Sequence, residues 1–185
     1  MVAKADAGAP STRATLVFMS PDRPIHPDLG RLADLLGDWY GEGVGQWAAG
    51  ERFRYHEWVS FGHNGKPFLA YTQRTTAADD GRPLHAETGY WRALEDGSVE
   101  VAMSHPIGVI EIEIGRWEGN SLKLRTESLA CTPTAKTVTG LDRDYEIDGD
   151  VLSYQLRMAT DGDEPRPHLA ASLRRVIPAG PQAGQ

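Results

Sequence analysis

Cysteine is almost missing from this sequence. Cys131 is the only one in 185 residues, so no internal disulfide can form and no CxxCH attachment motif exists. Long apolar runs are missing too, and nothing approaches the ~20 residues that a bilayer-spanning helix needs. No Lys/Arg cluster is longer than a pair and the formal net charge is −7, so a phosphate-backbone footprint is absent and nucleic acid is not an expected partner. The first residues carry Lys4 but no continuous apolar segment, which argues against a secretory signal. With the lone cysteine, that predicts a reducing, cytoplasmic location and no membrane partner. GxSxG, HExxH, GxGxxG and P-loop motifs are all lacking. No two histidines have i,i+2 or i,i+4 spacing, so a zinc cage is not signalled.

What is present is an ordinary globular composition: 40% apolar residues and a mean hydropathy of −0.43. Residues 1–26 are rich in Ala, Pro, Ser and charge without a period, and read as a loose leader. Residues 178–185 repeat that character as a tail, leaving 27–177 as one folded unit. Leu29, Leu32, Leu35 and Leu36 recur at helical spacing after Pro27-Asp28, which predicts a short helix, capped by Asp28 and ended by Gly37. From Gly37 on, the pattern is alternation broken by Gly/Asp/Asn turns. Strands are predicted at 37–45, 52–61, 68–76, 84–94, 98–104, 109–117, 121–131, 136–147 and 151–160, with a last one carrying His168. About ten short strands favour a closed antiparallel up-and-down barrel, since closure removes edges, and such a barrel is wide enough to hold a ligand. The helix is expected to plug one end.

Side-chain chemistry looks sparse. The carboxylates fall mostly in turns or on alternating outer faces, where solvation explains them. His26 lies in the leader, His56 on an outer face and His63 at a turn, where backbone hydrogen bonding is expected. His85 begins a strand. His105 ends one whose face carries Val99, Val101 and Met103, so it should look inward. Met158 shares an apolar face with Leu152, Tyr154 and Leu156 and reads as a core methionine. His168 follows Pro165 and Pro167, and its strand face continues with the small Ala170 and Ser172, leaving space for something flat. A single imidazole in an otherwise apolar pocket is the ordinary way to hold a b-type haem.

Gly37-Asp38-Trp39-Tyr40-Gly41-Glu42-Gly43 matches a G-x-W-x-G-x-G pattern, with Gly37, Trp39, Gly41 and Gly43 as its fixed positions. It is followed in order by Phe61-Gly62-His63-Asn64-Gly65-Lys66-Pro67-Phe68, Pro83-Leu84-His85-Ala86-Glu87-Thr88-Gly89-Tyr90, Pro133-Thr134-Ala135-Lys136 and Pro167-His168-Leu169. In these five blocks the chain resembles the nitrobindins over about residues 27–177. The resemblance implies a ten-stranded barrel related to fatty-acid-binding proteins, with one haem b near its mouth. It implies His168 as the axial iron ligand, Lys136 near a propionate, and Leu84, His85, His105 and Met158 as pocket positions. It also implies binding of nitric oxide and isomerisation of peroxynitrite to nitrate at ferric haem, and allows a homodimer. No catalytic side chain is expected beyond the iron, although His85 or His105 could hydrogen-bond a bound oxygen. One departure stands out: Trp47-Ala48-Ala49 replaces the family's Tyr-Pro-Thr, whose threonine contacts haem. A carrier or sensor barrel without turnover, binding haem or another apolar small molecule, is the alternative reading.

Overall fold

Alternating side chains and glycine-marked turns give what they predict. A computed structural model describes residues 23–47 and 50–177. Its ten strands are β1 (Gly37–Gln46), β2 (Arg52–Gly62), β3 (Phe68–Ala77), β4 (Pro83–Ala93), β5 (Ser98–His105), β6 (Val109–Glu118), β7 (Ser121–Cys131), β8 (Val138–Asp148), β9 (Val151–Thr160) and β10 (Arg166–Arg175). Each pairs antiparallel with its neighbour in sequence. β1 closes the barrel on β10, with Trp39 opposite Arg175 and Gly45 opposite Leu169. The strand from residue 136 starts later than predicted. Lys136 stays in the loop, its carbonyl accepting from Val138 N–H at 2.9 Å. Residues 1–22, 48–49 and 178–185 lie outside the described residues, and with them most of the leader, the tail and the Ala48-Ala49 departure.

The helix is a 3-10 helix, Pro27–Leu35, interrupted at Gly30, where φ is 51°. Its cap is not Asp28 but a residue assigned to the leader: His26 Nδ1 accepts from Asp28 N–H at 3.3 Å, and its side chain is half-buried. The helix lies across one end of the barrel. Leu29, Leu32 and Leu35 are fully buried, each stabilising the plug by roughly 2 kcal/mol. Arg31 donates to the Gly119 carbonyl at the β6–β7 turn and stacks 4.4 Å over Trp117. On the other side Arg175 donates to the Asp34 and Leu36 carbonyls and stacks 4.0 Å over Trp39.

The first motif belongs to this closure rather than to a ligand site. Trp39 is fully buried and donates from Nε1 to the Leu35 carbonyl at 2.8 Å, tying strand to helix. Gly43 sits against the Tyr55 ring, where a Cβ would fall 2.2 Å from a ring carbon. At Gly41 it would fall 2.1 Å from the Ser172 carbonyl oxygen. The inner row of β1 is therefore nearly side-chain-free past Trp39, and aromatics from β2 fill its space.

β6 faces opposite to its hydrophobicity. Ile110, Ile112 and Ile114 are 53%, 39% and 39% exposed, while Glu111 and Glu113 are 0% exposed. Register imposes this. β5 turns Val101, Met103 and His105 inward, and they pair with Glu113, Glu111 and Val109. The reading of the carboxylates as solvated is thus overturned, since Glu57 and Glu87 are buried as well. The physical reason is a set of buried partners: Arg143, on β8, answers Glu87, Glu111 and Glu113, and Tyr154 and Gln73 answer Glu57.

Candidate functional site

The barrel interior changes character with depth. Above the apolar plug lies a polar belt. Arg143 Nη1 stands 2.7 Å from both Glu111 Oε1 and Glu113 Oε1, and Nη2 stands 3.2 Å from Glu87 Oε1. Tyr71 donates to Glu87 Oε2 at 3.1 Å, Gln73 to Glu57 Oε1 at 3.1 Å and Tyr154 to Glu57 Oε2 at 2.8 Å. Among the described residues four carboxylates are buried with one arginine, three of them in contact with it, and the imbalance appears in their acidities. Burial raises Glu57 to about 7 despite the hydrogen bonds from Tyr154 and Gln73. Burial raises Glu113 to about 7 too, with Arg143 opposing. Burial also works on Glu87, but there Arg143, His85 and His105 outweigh it and hold the carboxyl well below the usual range.

His85 and His105 rise from this belt toward the open end. His105 is buried as its alternation predicts, and both of its ring nitrogens are engaged: Nε2 with Glu111 Oε1 at 2.9 Å, Nδ1 with His85 Nε2 at 3.0 Å. Burial lowers its pKa, but the Glu111 and Glu87 carboxylates more than offset that and raise it. His105 therefore has no ring nitrogen to spare for a bound oxygen. His85 commits only Nε2 and is the better placed of the pair.

At the open end stands His168, half-buried and re-aimed by a backbone irregularity. Pro167 pairs with Arg157 and Leu169 with Leu156, so an extra residue, His168, bulges between them. It therefore leaves the row of Ala170 and Ser172, against expectation. Ser172 points outward, within 3.4 Å of Ser153 Oγ. A bulge redirects the side chain at a strand end, which alternation cannot foresee. The imidazole is held by a backbone group of β1: Nδ1 lies 2.9 Å from the Gln46 carbonyl oxygen. A carbonyl only accepts, so Nδ1 carries the hydrogen and Nε2 the lone pair. Burial lowers the His168 pKa, the Gln46 carbonyl opposes only in part, and nearby His85 and Lys136 push the same way as burial. The ring is thus a neutral imidazole with a fixed tautomer, the form that ligates iron.

Around His168 the open rim is apolar. Phe53, Leu84, Leu129, Ala135, Met158 and Leu169 are partly buried against the core, and all lie at strand ends or loops of this one mouth. Trp47 stacks on Phe53 at 4.5 Å and stands 6.5 Å from the His168 ring. A depression beside His168 runs from Val44 and Gly45 past Phe53 to Leu169. A flat apolar cofactor needs such a rim, one free imidazole nitrogen and a cation for its carboxylates. His168 Nε2, the rim and the exposed Lys136 supply these, so the residues fit a haem. His168, His85, Leu84, Met158 and Lys136 are brought to one end as expected, and His105 lies just below them. His56 is on the outer wall stacked with Tyr40, and His63 accepts from Gly65 N–H at 3.2 Å. Glu57, Glu87, Glu111, Glu113 and Arg143 escaped sequence reading. The one available signal was that Glu111 and Glu113 share Val109's face, but alternation does not say which face is inside.

The THAP4-like, heme-binding beta-barrel domain matches residues 28–175 of the chain. Peroxynitrite isomerase 2 of Mycobacterium avium is 50% identical over 155 residues, covering 82% of this chain and 96% of its own length. Peroxynitrite isomerase 1 of Mycobacterium tuberculosis is 48% identical over 160 residues, covering 83% and 98%. The crystal structure of Rv2717c from M. tuberculosis matches with a TM-score of 0.77 at 46% identity, over 83% of this chain and all of that one.

Proposed function

The chain belongs to the THAP4-like heme-binding β-barrel family, and from that premise we propose that it holds one haem b at the open end and isomerises peroxynitrite to nitrate. The observation that carries the reading is the neutral, carbonyl-anchored His168, with Nε2 unpaired among the described residues and an apolar rim around it. Relatives of 48–50% identity bearing the name peroxynitrite isomerase support the reaction.

Peroxynitrite and nitrate are isomers, so the net change is one O–O bond broken and one N–O bond made, with no electron or proton added. When bound, haem supplies the iron centre at which that rearrangement is eased. The chain's own residues do the rest. His168 would hold the iron through Nε2, with the Gln46 carbonyl fixing the orientation and tautomer of the ring. Lys136 offers an ammonium to a haem propionate. Leu84, Met158, Phe53 and Leu169 exclude water from the face they cover. His85 is the side chain free to hydrogen-bond a bound anion, its partner His105 keeping the ring in place. Nitric oxide is the second ligand of the same site.

A haemin titration followed by absorbance, on wild type and His168→Ala, tests this. Wild type should take one haem per chain. The variant should lose affinity by on the order of 100-fold, since even partners of a ligand are worth 10–100-fold. Ferric, haem-loaded protein should consume peroxynitrite faster than the same amount of free haemin and yield nitrate. An unchanged spectrum in His168→Ala removes His168 as ligand, and decay no faster than with haemin leaves a carrier.

The same proposal takes the chain to be cytoplasmic, in keeping with its free, exposed Cys131. It also allows a homodimer, for which the outward Ile110, Ile112 and Ile114 offer an apolar face. Sedimentation equilibrium of Ile112→Lys against wild type checks this, the variant being the more monomeric.

A further inference from the structure

Beneath the open end, three atoms with lone pairs converge from two strands. His85 and Glu87 are two residues apart on β4, and His105 ends the neighbouring β5. His85 Nε2 is 3.0 Å from His105 Nδ1 and 3.6 Å from Glu87 Oε1, and the last two are 3.6 Å from each other. A tetrahedral ion with bonds of about 2.1 Å places its ligands about 3.4 Å apart, and the three edges bracket that value. We infer that His85 Nε2, His105 Nδ1 and Glu87 Oε1 form a site for a divalent transition-metal ion, distinct from the haem ligand His168, with Zn²⁺ as reference occupant.

Three features beyond the spacing support it. The far nitrogen of His105 meets the buried carboxylate of Glu111 at 2.9 Å. That is the carboxylate–histidine–metal arrangement, in which the outer carboxylate takes the Nε2 hydrogen and turns a lone pair at Nδ1 toward the ion. In that neutral ring His105 Nδ1 and Glu87 Oε1 are both acceptors, facing each other across 3.6 Å. In the empty site His85 Nε2–H can serve Nδ1, and a cation held by all three atoms takes the place of that hydrogen. Glu87 can spare the atom: Tyr71 holds Oε2, and Arg143 Nη2 uses one side of Oε1 at 3.2 Å. The surroundings also hold more buried carboxyl groups than buried cationic side chains. Glu87, Glu111 and Glu113 are buried against the single Arg143, and Glu111 Oε2 and Glu113 Oε2 have no hydrogen-bond partner among the described residues. A divalent cation offsets that surplus where a second arginine is lacking.

Two imidazoles and one carboxylate are the donor set of open zinc sites, which keep a fourth position for water. Here His85 is the half-buried ligand and Glu87 and His105 are buried behind it. Entry and the fourth position are therefore on the side of the mouth. Pairing across β4 and β5 makes the site, which is why histidine spacing along the chain gave no sign of it. Zn²⁺ has no redox chemistry, so it can be read independently of haem.

The test is equilibrium dialysis of the full chain, with and without haem, against micromolar Zn²⁺, followed by elemental analysis. Wild type should retain about one equivalent, and His85→Ala and Glu87→Gln should each bind at least ~10-fold more weakly. His168→Ala should retain its zinc. His85 is near the surface, so His85→Ala decides the matter if Glu87→Gln does not fold, each variant's fold being checked by circular dichroism. Less than ~0.1 equivalent on folded wild type overturns the site, as does full retention by His85→Ala. Zinc lost with His168→Ala overturns it too, by moving the ion to the mouth imidazole. Failure of haem binding in the separate titration leaves these outcomes readable.

Discussion

At the end crossed by the helix, Leu29, Leu32, Leu35, Trp39, Leu69 and Trp91 are fully buried, whereas at the opposite end Phe53, Leu84, Leu129, Met158 and Leu169 remain only partly buried. The same strands furnish both. What differs is what covers them. A helix pinned by Arg31 and Arg175 completes the first core from within the chain. The second is an apolar rim that no described part of the chain covers, set above ionised groups. Stability should therefore reside at the plugged end and ligand binding at the open one, and substitutions at the two ends should separate these properties.

The largest expected effect is at the plug. Trp39→Ala removes a fully buried indole, its bond to the Leu35 carbonyl and the surface on which Arg175 stacks. It should cost about 3–5 kcal/mol in urea unfolding, while the folded fraction still takes up haem. Next comes His168→Ala, for which the reverse is expected. Its roughly 100-fold loss of haem affinity, argued above, should come with an apo-protein unfolding free energy within about 0.5 kcal/mol of wild type, because a half-buried mouth residue supports little core. If His168→Ala destabilises the chain as much as Trp39→Ala, the division between the ends fails.

The plug and the strand ladder were legible because they depend on local period. Leucines at helical spacing, alternation and glycine turns each state their own structure, and closure follows from the number of strands. His168, Lys136, Leu84, His85 and Met158 were legible as a set through family blocks, and the structure brings them to one mouth. Three things were not legible. The side chain of His168 depends on a bulge set by pairing with β9, and its hydrogen-bond partner is the main chain of β1. The sidedness of β6 depends on register with β5, so glutamates that look solvated lie inside and isoleucines that look buried lie outside. Arg143 is 30 residues from Glu113 and 56 from Glu87, and no local pattern announces a partner that distant.

The belt between the two ends gives the smallest and most particular prediction, through pH. Glu57 titrates near 4.5 when unperturbed and at about 7 in the folded chain, raised chiefly by burial. Between those values the unfolded chain has released this proton and the folded chain has not, so folding binds a proton and stability falls as pH rises. The contribution is fully present below about 4.5 and is lost as pH passes 7. Glu113 acts in the same direction. Glu87, lowered mainly because Arg143 outweighs its burial, acts in the opposite one, losing its contribution only as pH drops below the ordinary carboxylate range. Glu57→Gln keeps an oxygen for Gln73 or Tyr154 and cannot ionise. Relative to wild type it should be stabilised more at pH 8 than at pH 5, by about 1–3 kcal/mol in urea unfolding of the full chain. Equal differences at the two pH values would mean that Glu57 is charged throughout. The surplus negative charge of the belt would then have to be balanced entirely by Arg143, the histidines or a bound ion.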